Sequence, residues 1–78
     1  MAPTRAQAFG DALRYLRHER GLSQEAAALA FRLDRAYFGK LERGTKNPTL
    51  ATVWKIADAF ETRPSELLAR AERLLAEA

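Results

Sequence analysis

The residues that start and stop helices constrain this chain more than any other feature. Ser23, Asp34 and Thr49 each stand just before a run of apolar residues at helical spacing, where a side-chain oxygen satisfies the first free amides of a helix. Gly21 and Gly44 stand just past such runs, where a left-handed residue closes a helix, and Pro64 suits a first turn. Read in this way, the sequence predicts five helices, over residues 6–20, 24–31, 35–43, 50–60 and from Pro64 to about Glu77. The fifth takes its cap from Thr62, Arg63 or Ser65. Phe9, Ala12, Leu13 and Leu16 form the inward stripe of the first helix, and Leu50, Val53, Ile56, Ala57 and Phe60 that of the fourth. No stretch alternates with period two, so the expected class is all-α.

With 78 residues, of which 47% are hydrophobic, the chain has material for one small core and a single domain, 1–78. There is no cysteine, so neither a disulfide nor a thiolate metal site is expected to hold the fold. Packing alone must do so, and so short a chain gains from dimerisation. The longest apolar run, residues 26–31, is far too short to span a bilayer. No signal peptide is read at the start, so a cytoplasmic, nucleoid-associated bacterial protein is expected.

The net charge is +3, from 13 Lys and Arg against 10 Asp and Glu. The excess lies in the front half: residues 5–20 carry four arginines against Asp11 and Glu19, whereas residues 66–78 carry three glutamates against Arg70 and Arg73. Nucleic-acid binders concentrate basic charge on one face.

The second and third helices are joined only by Arg32, Leu33 and the cap Asp34, which suggests a helix-turn-helix over about residues 23–43. Placed at 100° per residue, Phe38 and Leu41 of the third helix face the core, while Ala36, Lys40 and Arg43 face away and Arg35, Tyr37 and Gly39 lie on the flanks. Two local choices are poor for stability. Arg35 puts a cation in the first turn, unfavourable by a few tenths to ~1 kcal/mol. Gly39 costs a helix interior roughly 1 kcal/mol relative to alanine. A major-groove recognition helix explains both. Arg35 then reaches deepest, with a fork suited to guanine N7 and O6; Ala36 permits close approach to a thymine methyl; Lys40 reaches a further base or a phosphate. Gly39 removes a side chain where the DNA backbone passes, and Lys46 and Asn47 hold phosphate beyond the helix end. The plainer alternatives are that the cations form a solvated face and that Gly39 relieves crowding against the first helix. Tyr37 reads as a packing residue. Trp54 falls off the inward stripe and is either a dimer contact or a partly buried lid over the helix. His18, the lone histidine, lies among charged residues and is read as no ligand.

"GLSQE" at 21–25, "LDRAYFGKLERG" at 33–44 and "NPTLATVWKIADAF" at 47–60 resemble the Cro/C1-type (Xre-like) helix-turn-helix family. The segment around "LDRAY" and "LERG" is further similar to controller proteins of restriction–modification systems. The resemblance implies a five-helix, lambda-repressor-like DNA-binding domain acting on double-stranded DNA through the major groove. It places Arg35 and Ala36 at base-reading positions with Lys40 behind them, and Ser23, Gln24, Tyr37, Arg43, Lys46, Asn47 and Thr49 against the DNA backbone. Arg17 and Glu42 match a largely buried structural ion pair. Some positions depart from the family pattern: Ala27 replaces leucine, with Phe31 available to fill the volume; Ala36 replaces threonine; Gly39 replaces serine; Thr62 replaces a small apolar residue.

A single domain of this size makes few base contacts, each worth ~1–3 kcal/mol of discrimination. A homodimer on a pseudo-palindrome doubles them. The expected dimerisation helix is 64–77, with Leu68, Ala71, Leu74 and Leu75, together with Trp54, at the interface and Leu67 in the core. The reading is thus a homodimeric sequence-specific transcriptional regulator needing no cofactor, metal or small-molecule effector. An antitoxin or other protein-interaction module on the same fold is the rival. An enzyme is not expected, because no nucleophile, phosphate loop or carboxylate cluster converges.

Overall fold

The computed structural model describes residues 2–77. It contains α1 (Arg5–Glu19), α2 (Gln24–Phe31), α3 (Arg35–Arg43), α4 (Leu50–Ala59) and α5 (Pro64–Glu77). The caps read from the sequence act as such. Ser23 Oγ accepts from the Ala26 amide at 3.0 Å, Asp34 Oδ2 from the Tyr37 amide at 3.1 Å, and Thr49 Oγ1 from the Thr52 amide at 3.1 Å. One cap escaped the sequence reading. Thr4 and Gln7 form a reciprocal capping box, which starts α1 one residue earlier than expected. In α5, Pro64 is the first helical residue, and the Arg63 carbonyl accepts from the Glu66 and Leu67 amides. Ser65 therefore lies inside the helix and is not its cap. The Thr62 hydroxyl and then the Arg63 guanidinium, both bonded to Glu66, hold its carboxyl below the usual range.

The core is built from one face of each helix: Phe9, Ala12 and Leu13; Ala27, Ala28 and Phe31; Phe38 and Leu41; Val53, Ile56 and Phe60; and Leu67. Phe31 is buried in this core, its ring 5.5 Å from that of Phe38 and 4.6 Å from that of Phe60. Leu50 corrects the expected stripe of α4: it is 72% exposed. It is the first residue of α4, rotated about 70° from the mean direction of Val53, Ile56, Ala57 and Phe60 at 100° per residue. That rotation carries it past the core edge.

α1 is the central beam, packed along α5 on one side and α3 on the other. Its contact with α3 depends on Gly10, where a Cβ would collide with the Leu41 and Glu42 carbonyl oxygens. Gly44, with φ +74°, closes α3 and lies against the Gln7 backbone. Arg20 ties α1 to α4: its Nη2 donates to the Phe60 carbonyl at 2.6 Å, and its guanidinium lies over the Phe60 ring. Among the described residues no helix is long and apolar enough to cross a membrane.

Candidate nucleic-acid interface

α3 is fixed on the scaffold by its own last turn. Glu42 is 1% exposed. Arg17 Nε donates to its Oε2 at 2.6 Å and Arg17 Nη2 to its Oε1 at 3.1 Å, a forked pair of charge-assisted bonds. Gln24 Nε2 donates to the same Oε1 at 2.8 Å. Arg17 Nη1 donates to the Leu22 carbonyl, and Arg14 Nη2 to the Glu42 carbonyl. Three elements thus converge on one carboxylate: the end of α1, the first residue of α2 and the end of α3. No described buried side-chain polar atom is left without a partner. The ion pair expected from the sequence is present; the contribution of Arg14, admitted by the close approach at Gly10, was not foreseen.

The remaining surface of α3 is open. Phe38 and Leu41 are buried in the core, while Arg35, Ala36, Lys40 and Arg43 are exposed. Lys46 and Asn47 continue that exposed surface past the helix end, and Thr49 follows at the cap of α4. Among the described residues, Arg35, Lys40, Arg43 and Lys46 form no ion pair, whereas Arg14, Arg17 and Arg63 do. A helix anchored by a buried carboxylate thus displays unneutralised cations along its exposed surface. A helix-turn-helix profile matches residues 13–67, which is the region just described.

The chain belongs to the helix-turn-helix family of Cro/C1-type transcription regulators. It is 38% identical over 66 residues to the control protein C.MunI of Mycoplasma sp, covering 83% of this chain and 89% of that one. The crystal structure of the restriction–modification controller protein C.AhdI from Aeromonas hydrophila superposes with a TM-score of 0.76 at 45% identity, covering 80% of this chain and 94% of that one. The clp gene regulator ClgR from C. glutamicum superposes with a TM-score of 0.89 at 27% identity, covering 96% of each chain.

On this helix-turn-helix frame the other expected residues fall into place unevenly. Tyr37 is half-buried and packs against the core cluster. Ser23 is exposed at the mouth of α2, and Gln24 beside it is committed to Glu42 through its amide nitrogen. For Gly39 the alternative of crowding against the first helix is overturned. The residue is buried, and the atoms nearest a Cβ there belong to Arg43 and Gln24, so it relieves no crowding against α1.

The expected dimer residues also divide. Trp54 is 53% exposed and Leu68 is 41% exposed. Leu74 and Leu75 are half-buried. Ala71 is buried within its own protomer, because α5 turns that small residue onto α1. Leu68, Ala71 and Leu75 line an apolar groove with Phe9, bordered by Arg5 and Glu72. Exposed Leu50, one helical turn before Trp54, extends the uncovered apolar surface of α4 and was missed because the stripe pattern assigned it inward.

Proposed function

We propose that this regulator binds a pseudo-palindromic operator as a homodimer, in the bacterial cytoplasm, and acts by occupying or flanking a promoter. α3 lies in the major groove. Arg35, Ala36 and Lys40 read base edges; Ser23, Gln24, Tyr37, Arg43, Lys46, Asn47 and Thr49 follow the DNA backbone. Trp54, Leu68, Leu74 and Leu75, with the rim of Ala71, meet a second copy. The similarity to C.MunI and C.AhdI supports a controller of a restriction–modification system as the specific role. The observation that carries the reading is the set of exposed, unpaired cations Arg35, Lys40, Arg43 and Lys46 along α3 and just past its end, on a helix anchored by its buried Glu42. That charge is unneutralised within the protein, and the fixed helix gives it one direction in which to act.

Selection of bound fragments from a random duplex pool at physiological salt tests this. An enriched inverted repeat with half-sites about one helical turn apart, ~34 Å, is expected. Arg35→Ala is expected to lower affinity for that repeat by about 1–3 kcal/mol and to relax one base position per half-site. Equal losses on the repeat and on random duplex remove Arg35 from base reading. Absence of any motif, with binding only at low salt, refutes the operator reading and leaves the same fold serving a protein partner.

A further inference from the structure

Arg35, Gly39 and Arg43 lie on one ridge of α3 at i, i+4 spacing. The ridge is empty in the middle, and its C-terminal member leans into the gap. A Cβ at Gly39 would stand 3.1 Å from Arg43 Nη1 and 4.0 Å from its Cζ. Helical side chains lean toward the N-terminus, so the guanidinium is carried about one turn, ~5.4 Å, toward the end of α3 that bears Arg35. Gln24 bounds the same slot, its Oε1 3.9 Å from the Cβ position. Gln24 is itself fixed by the 2.8 Å bond from its Nε2 to Glu42, so that wall does not swing.

Nothing else in the fold requires glycine at this position. Gly39 has no positive φ, unlike Gly21 and Gly44. The close approach of α1 to α3 is made at Gly10. No backbone or aliphatic atom of another helix stands within 4 Å of its Cβ position among its three nearest neighbours. A residue that weakens the helix interior thus stands where the nearest group to a Cβ is the end of the Arg43 side chain, which a Cβ would press back by a few tenths of an ångström.

We propose that Gly39 is a specificity-determining position: the missing side chain lets Arg43 lie along α3 and present its guanidinium to a base edge, beside Arg35, instead of to phosphate beyond the helix. Arg43 then joins Arg35 and Lys40 as a reader, and its fork suits guanine N7 and O6. Gly39 does not touch DNA in this account; it positions the group that does. The inference rests on the operator-binding proposal above and moves Arg43 from its backbone contacts to its base readers.

The test compares wild type, Gly39→Ala, Arg43→Ala and the double variant, each with thermal melting, solution mass, operator selection, and affinity for both the selected operator and random duplex. Gly39→Ala is expected to melt at a higher temperature with unchanged mass, since alanine favours the helix. It is expected to bind its operator about 10-fold more weakly, within the range of one lost base contact, and random duplex as before. Base preference disappears at the same operator position in Gly39→Ala and Arg43→Ala, and the double variant is no weaker than Arg43→Ala alone. Retained preference in Gly39→Ala, equal losses on operator and random duplex, or losses that multiply in the double variant each overturn the proposal while leaving the operator reading intact. A wild-type protein that selects no motif overturns both together.

Discussion

Glu42 shows how one residue does the work of an interface. Its carboxylate is buried, receives two bonds from Arg17 and one from Gln24, and sits on the turn of α3 that Gly10 lets α1 approach. An ion pair of this kind is weak evidence for net stability, because desolvation offsets much of the attraction. Removing one partner is a different matter, since it strands the other charge. Glu42→Ala is expected to destabilise the fold by about 3–5 kcal/mol, read from urea unfolding. At ~0.05–0.15 kcal/mol per residue, a chain of this size has roughly 4–12 kcal/mol in all, so the variant is expected to lie near its folding threshold. A loss below ~1 kcal/mol would mean that Arg17 finds water or another acceptor when Glu42 is gone.

At the scale of elements, the sequence was most legible where a helix begins. Ser23, Asp34 and Thr49 announce themselves because an oxygen before an apolar run has one physical use. Thr4 was missed since α1 opens with alternating small and polar residues, which carry no stripe for the cap to precede. Helix ends were only half legible. Gly21, Arg32, Gly44 and Glu61 all take positive φ, and in each case the next amide reaches back to close the helix, as Leu33 N does to the Ala28 carbonyl at 2.9 Å. Glycine signals this conformation and Arg32 and Glu61 do not, so the register of α2 and α4 had to come from their starts. The lie of the Arg43 guanidinium over Gly39 and near Gln24 was invisible for another reason: it joins residues of two helices, a juxtaposition that no single-helix projection contains. Glu61 also supplies a prediction. An L-residue at φ 55° is strained, and glycine is not. Glu61→Gly is expected to stabilise the domain by about 0.5–1 kcal/mol, the strain relieved exceeding the extra unfolded-state freedom. That raises the melting temperature by roughly 2–8 °C. An unchanged or lower melting temperature would show that the Glu61 side chain contributes more than its backbone costs.

The whole molecule measures 31 × 24 × 23 Å, with a radius of gyration of 11.4 Å. That radius is close to the ~11.5 Å expected for a folded chain of this length, so α5 is folded back onto the domain and does not project as an arm. α4 and α5 each carry uncovered apolar side chains, Leu50 and Trp54 on the one and Leu68 on the other, and in the homodimer proposed above a second copy meets them there. Two copies meeting there stand about one molecular width apart, which is compatible with recognition helices in successive major grooves ~34 Å apart. Trp54→Glu with Leu68→Glu tests this at low cost to the protomer, because both side chains are about half exposed in the single chain. The double variant is expected to keep the helical circular dichroism of the wild type and to sediment at the monomer mass. Its affinity for the full operator should fall to that for an isolated half-site. The slope of log K against log salt, which reports the number of phosphates engaged, should fall to about half. A variant that remains dimeric places the interface elsewhere. One that becomes monomeric but keeps the full salt slope shows that a single copy already makes every phosphate contact, and the pseudo-palindrome would then have no physical basis.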